Sequence, residues 1–95
     1  MELARVTGSV VSTVKEPKLN GSKLLIVNVL KMDGTPTSSS LVAIDSVGAG
    51  YGEVVILVRG SSARQARNME SVPTDAAIIA IVDALEVGGK MLFKR

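Results

Sequence analysis

Residues Val42–Arg64, VAIDSVGAGYGEVVILVRGSSAR, decide what kind of fold this chain can adopt. Two apolar, β-branched runs, Leu41–Asp45 and Val54–Arg59, flank a loop that carries Gly48, Gly50 and Gly52. Branched side chains of this kind fit a pleated surface, so both runs read as strands. Glycine at alternate positions leaves the loop backbone free to take positive φ and allows another chain to come close. The second strand stops at Gly60. Ser61 or Ser62 then supplies an N-cap, its hydroxyl accepting from backbone N–H groups that a first helical turn leaves unpaired, and a short helix runs from about Ser62 to Arg67.

Towards the N-terminus, Leu3–Val14 alternates, with Ala4, Val6, Val10 and Val14 on one side and Arg5, Thr7, Ser9 and Thr13 on the other. That is the period of a half-buried strand, and Gly8 marks a bend or bulge in it. Lys15–Ser22, with Pro17 and Asn20-Gly21, is a loop. Lys23 opens the next run, and Leu24–Leu30 is apolar except for Asn28, as suits a strand covered on both faces. Asp33-Gly34 ahead of Pro36 makes a turn, and the polar Thr37–Ser40 is expected to be an exposed loop. Asn68–Thr74, with Pro73, is another loop.

Pattern alone does not resolve Ala76–Val87. Thr74 or Asp75 could cap a helix there, Gly88 could end it, and its alanines favour it. Against that, Ile78, Ile79, Ile81 and Val82 are β-branched, and Gly88-Gly89 before Met91-Leu92-Phe93 has the form of a hairpin turn.

Composition excludes more chemistry than it admits. The chain has no histidine and no cysteine, so the commonest general base and two common metal ligands are missing. Ser61 and Ser62 after a strand have the placement of a nucleophile on a turn, but no base stands at a useful spacing, and helix capping accounts for them. Asp45, Glu53, Asp75 and Asp83 are single carboxylates without metal-loop spacing. Asp45 and Asp83, each ending an apolar run, read as satisfied rim residues or interface hydrogen-bond partners, and Glu53 can pair with Arg59 or Arg64 of its own or a neighbouring chain. No catalytic residue, metal or cofactor is expected. The G-x-G-x-G loop fits neither the dinucleotide fingerprint nor the P-loop, and a strand follows it where those motifs need a helix.

Net charge is +2, from eleven basic and nine acidic residues. A calculated pI of 9.2 therefore overstates a small imbalance, which is no nucleic-acid footprint. No apolar run is long enough to span a bilayer, and MELARVTG lacks the basic flank and apolar block of a signal peptide, so a cytoplasmic, membrane-free protein is expected. In 95 residues there is room for one domain, 1–95, with limited interior volume. Yet 46% of them are apolar and the mean hydropathy is +0.36. A chain this small cannot hide that much aliphatic surface within itself, so part of it should lie between subunits.

Several ordered segments carry a resemblance: VTGSVVSTVK (Val6–Lys15), KLLIV (Lys23–Val27), VAIDSVGAGYGE, GSSARQA and PTDAAIIAIVD (Pro73–Asp83). Together they resemble the EutN/CcmL family, the pentameric vertex proteins of bacterial microcompartment shells. The resemblance makes Ala76–Val87 a strand, and the chain then mostly β: a small, closed, OB-like antiparallel barrel with one short α-helix. It implies a homopentamer capping the vertices of a polyhedral shell in the bacterial cytoplasm, with hexameric shell proteins as partners. It assigns subunit packing or the axial region to Asp45, Gly48, Gly50, Gly52, Glu53, Gly60, Ser61, Ser62, Ala63 and Arg64. Departures lie in Lys31–Ser40 and in the tail Gly88–Arg95, whose GGKMLFKR is closer to the ethanolamine branch than to the carboxysome branch. The rival reading is an OB-like module for oligonucleotides or small anions, the latter at Gly60-Ser61-Ser62. Such barrels stack bases on aromatic rings, and Tyr51 and Phe93 are the only two aromatic residues.

Overall fold

The structure, a computed structural model, describes residues 1–12, 17–19, 21–60, 63 and 75–95. Seven strands are present: β1 (Glu2–Val10), β2 (Lys23–Leu30), β3 (Pro36–Asp45), β4 (Val54–Arg59), β5 (Ala76–Ile81), β6 (Ala84–Val87) and β7 (Lys90–Lys94). The first five close into a barrel in the order β1-β2-β3-β5-β4, with β4 returning to β1. Every neighbour is antiparallel except β3 and β5, which run parallel through Ile44–Ala77 and Asp45–Ile78. The expected closed OB-like barrel is therefore present. The expected short helix, its serine cap and the loop Asn68–Thr74 lie outside the described residues, among which the helical structure is 3-10, notably the turn Pro17–Leu19.

Barrel closure follows from what the strands point inward. Ala4, Val6, Leu25, Val27, Ala43, Val55, Leu57, Ala76 and Ile78 are all buried in one cluster. Alanine and valine dominate because a five-strand barrel leaves room for little else, and small inner side chains let the wall curve. No buried polar side chain occurs among the described residues, so burial there incurs no unpaired-donor penalty.

The Gly8 bulge changes which way β1 faces. Val6 pairs with Val27 and Gly8 with Ile26, leaving Thr7 as the extra residue. Beyond it the alternation inverts: Ser9 lies opposite the buried Leu25, while Val10 lies opposite Leu24 on the outer face. Val10 therefore does not share the inward side with Ala4 and Val6, and the strand ends there, with Thr13 and Val14 lying outside the described residues. Leu24–Leu30 is likewise less covered than its apolar run predicts, since Leu25, Val27 and Leu30 are buried while Leu24 and Ile26 stay half-exposed.

Asp33-Gly34 turns as predicted, with the Gly34 N–H donating to Lys31 O at 2.8 Å and Gly34 at φ 86°. Thr37 is half-buried and Ser38–Ser40 are exposed, but the segment is strand, not loop. The β2–β3 register slips between Asn28 and Leu30, and the Asn28 Nδ2 donates to Thr37 O and Ser39 O, satisfying carbonyls that the slip removes from the ladder. The ambiguous segment Ala76–Val87 is strand twice over. β5 closes the barrel, the chain breaks at Val82-Asp83, and β6 forms a separate hairpin with β7 across Gly88-Gly89. That hairpin extends a molecule measuring 45 × 23 × 22 Å.

Candidate assembly surface

The glycine loop is tied down at almost every residue by its own chain. Asp45, at the end of β3, accepts at Oδ1 from the N–H groups of Val47 and Gly48 at 3.0 and 3.1 Å, an Asx turn that starts the loop. Gly48 then takes φ 79° and sends the chain inward, so that Ala49 is fully buried among Val6, Leu25 and Val55. The Lys23 Nζ donates to Ala49 O at 2.8 Å. The Gly50 N–H donates to Glu53 Oε1 at 2.7 Å, and Gly52, at φ 83°, donates to Val6 O and accepts from Arg5 Nη1 at 2.6 Å.

Gly50 departs from the expectation of positive φ across the loop. Only Gly48 and Gly52 take it; a Cβ at Gly50 would instead come 3.4 Å from Glu53 Oε1. What this rigid loop presents outward is Tyr51, 83% exposed, and Val47 is exposed as well.

Glu53 finds a different partner from those expected. Its Oε2 pairs with Arg95 at 2.7 Å, and Arg95 also reaches Asp83 Oδ1 at 3.1 Å. Arg59 is engaged elsewhere, with Glu2 at 2.6 Å, and Arg64 lies outside the described residues. Arg95 thus locks the last residues of the hairpin to the loop, a role its position in a variable tail did not signal. Arg5 does the same from the barrel: its guanidinium holds Gly52 O and stands 5.8 Å from the Phe93 ring centroid. Arg5, Lys23, Ala49 and Arg95 were all missed by the sequence reading. Alternation along β1 marked Arg5 only as outward-facing, and nothing local announces a contact across 47 residues of chain.

The site residues do not form a single cluster. Asp45, Gly48, Gly50, Gly52 and Glu53 gather at the start of β4. Gly60 and Ala63 stand at its far end, six residues and about 20 Å of strand away. Gly60 takes φ 66° and donates to Asp75 O at 2.7 Å, and Ala63 is buried with Val58 and Ala77. Ser61, Ser62 and Arg64, and with them the anion site read at Gly60-Ser61-Ser62, lie outside the described residues. Phe93 is covered by Arg5 and packs in a crevice with Leu30, Val54 and Leu85, which leaves Tyr51 as the one ring free to stack. No group of three metal-ligating side chains comes together among the described residues.

Large apolar side chains stand exposed on both the barrel and the hairpin. Val10, Val11, Val42, Val47 and Tyr51 on the barrel, and Val87, Met91 and Leu92 on the hairpin, are all open to solvent in the single chain. The chain exposes 5759 Å², where a compact monomer of its mass would expose about 5200 Å².

Known proteins share this sequence and this shape. The family described as ethanolamine utilisation protein EutN/carboxysome matches residues 1–83. The bacterial microcompartment shell vertex protein EutN of Salmonella typhimurium is 50% identical over 95 residues, covering 100% of this chain and 96% of that protein. The structure of Gloeobacter violaceus CcmL superposes with a TM-score of 0.94 at 41% identity, over 100% of this chain and 98% of the other. The GrpN pentameric microcompartment shell protein from Rhodospirillum rubrum superposes with a TM-score of 0.83 at 49% identity, over 92% and 99% of the two chains. By sequence along most of its length and by fold along all of it, this chain belongs to the EutN/CcmL family.

Proposed function

We propose that this chain is a structural subunit that closes into a cyclic homopentamer and caps the vertices of a polyhedral bacterial microcompartment. The observation that carries it is the surplus of exposed aliphatic surface on a small rigid barrel, in a chain half identical to a pentameric shell protein. Covering apolar side chains of this kind contributes about 25 cal/mol per Å² of apolar surface before ordering costs. The subunit catalyses nothing, and residues 1–95 act as one unit.

Geometry supplies the role. Hexagonal tiles make flat sheets, and a sheet closes into a polyhedron only where five-fold units are inserted. The ring's rim would meet hexameric shell proteins in the cytoplasm of the host, in a shell of the catabolic, ethanolamine type, for which the likeness to EutN speaks. Within the ring, the loop Gly48–Glu53 with Asp45, and the Gly60–Arg64 segment, would serve subunit packing or the region about the axis. The preformed loop favours this because it is rigid before assembly and presents Tyr51 at no ordering cost.

Native mass spectrometry tests the ring directly. Five copies per particle is the expected result, and a clean monomer at micromolar concentration sinks the reading. In the host, deleting the gene should leave misshapen or leaking compartments; closed, normal ones would remove the vertex role while leaving the ring.

A further inference from the structure

The β2–β3 turn needs glycine at position 34, where φ is 86°. The hairpin packs against that glycine, with Leu85 Cδ2 3.4 Å from where a Cβ would stand. Position 33 suits aspartate, whose Oδ1 accepts from the Thr35 N–H at 3.0 Å and from the Thr35 hydroxyl at 2.6 Å. The turn under the hairpin therefore carries Asp33-Gly34, a dipeptide able to react with itself, because glycine has no side chain to shield its nitrogen from the neighbouring carboxyl.

That reaction needs nothing beyond water. The Gly34 nitrogen bonds to Asp33 Cγ, and a carboxylate oxygen leaves as water, taking the N–H proton and a proton from solvent. The cyclic imide then takes up water. Opening at Cγ restores aspartate, whereas opening at the Asp33 backbone carbonyl leaves the chain running through Cβ and Cγ, an isoaspartyl linkage of unchanged mass and longer backbone. In the folded turn both reacting groups are held. The Gly34 N–H donates to Lys31 O at 2.8 Å and the Lys31 N–H to Thr35 O at 2.8 Å, so the turn is bonded at both ends. Bonding to a neutral acceptor keeps the proton on the nitrogen that must lose it. The Thr35 donors, with Lys31, hold the Asp33 carboxyl below its ordinary value, so the neutral acid, which sheds water more readily, is rarer than in a free chain. Reaction requires the turn to open.

We propose that Asp33-Gly34 is a site of spontaneous isomerisation that the closed turn keeps dormant, with Thr35 as the residue that guards it. Every contact named lies within one chain, so the site does not depend on the ring. An isoaspartyl linkage lengthens the turn, breaks the pairing of Lys31 with Thr35 and disturbs the seat of Leu85, which loosens the hairpin from the barrel.

Full-length protein held for weeks in warm neutral buffer tests this, with isoaspartate at residue 33 read by fragmentation mass spectrometry of a peptide digest. The same chain in concentrated guanidinium chloride gives the rate of the open turn. Folded wild type should isomerise about tenfold or more slowly than that, since the reaction passes through a transiently opened turn. Thr35→Val, shown folded by circular dichroism, should isomerise about threefold or more faster than folded wild type, having lost a charge-assisted hydrogen bond. Thr35→Ser, which keeps the hydroxyl, should match wild type, and Thr35→Ala replaces a valine variant that does not fold. The isomerised fraction should also exchange its β6–β7 amide hydrogens faster. No isoaspartate at residue 33 in denaturant removes the site, and a folded wild type that isomerises at the denatured rate overturns its dormancy. A folded Thr35→Val or Thr35→Ala as slow as wild type removes Thr35 as its guard.

Discussion

Two glycines in one loop have different reasons to be glycine. Gly52 lies at φ 83°, where a Cβ costs about 1–2 kcal/mol, whereas Gly50 does not and would meet only Glu53 Oε1 at ordinary contact distance. Gly52→Ala should therefore lower the unfolding free energy in urea by about 1–2 kcal/mol, and Gly50→Ala by clearly less. Equal losses would show that loop backbone strain is not the cause. At the β2–β3 turn, the Thr35 hydroxyl and N–H both donate to Asp33 Oδ1, and together with Lys31 they hold that carboxyl below its ordinary 3.8. A carboxyl depressed in the folded state supports folding fully above its unfolded pKa, and that support fades as pH falls through the folded value. Thr35→Val should raise the Asp33 pKa towards 3.8, read by NMR titration of its carboxyl carbon; no upward movement would assign the depression to the residue-35 N–H and Lys31 instead.

Among the elements, the hairpin is the weakest. It lies outside the closed ladder and is secured by the Leu85–Phe93 contact and by Arg95 bridging Glu53 and Asp83. Those bridges are substantially exposed, so removing them costs under about 1 kcal/mol of global stability, but they set the angle at which the hairpin leaves the barrel. In the dissociated chain, Arg95→Ala should leave the urea midpoint nearly unchanged. It should also speed hydrogen exchange of the β6–β7 amides relative to those of β1–β5. Unchanged hairpin exchange would place its anchorage in Leu85 and Phe93 alone.

The whole molecule is a barrel with an apolar interior of modest size and several large apolar side chains exposed on its outside. Such a core leaves little margin, since even large domains retain only about 5–15 kcal/mol. Assembly then becomes part of stability. If the ring forms, the melting temperature should rise with protein concentration, because unfolding is linked to dissociation. A melting temperature independent of concentration, with pentamer present, would mean that the subunit is stable without its neighbours.

The amino-acid order by itself determined most of the architecture. Period-2 alternation, β-branched runs and glycine punctuation are local signals, and they located β1, β2, β4, the Asp33-Gly34 turn and the Gly8 bulge, whereas pattern left Gly88-Gly89 open between a helix end and a hairpin turn. Absence of histidine and cysteine, with little excess charge, bounded the chemistry in the same way. Tertiary structure decided whatever depends on partners distant in sequence. It inverted Val10 through the register slip at Gly8, split Ala76–Val87 at the barrel's rim, buried Ala49, and gave Glu53 to Arg95 rather than Arg59. The reason is that pattern records which side chains avoid water, whereas closure of the barrel sets which of them meet.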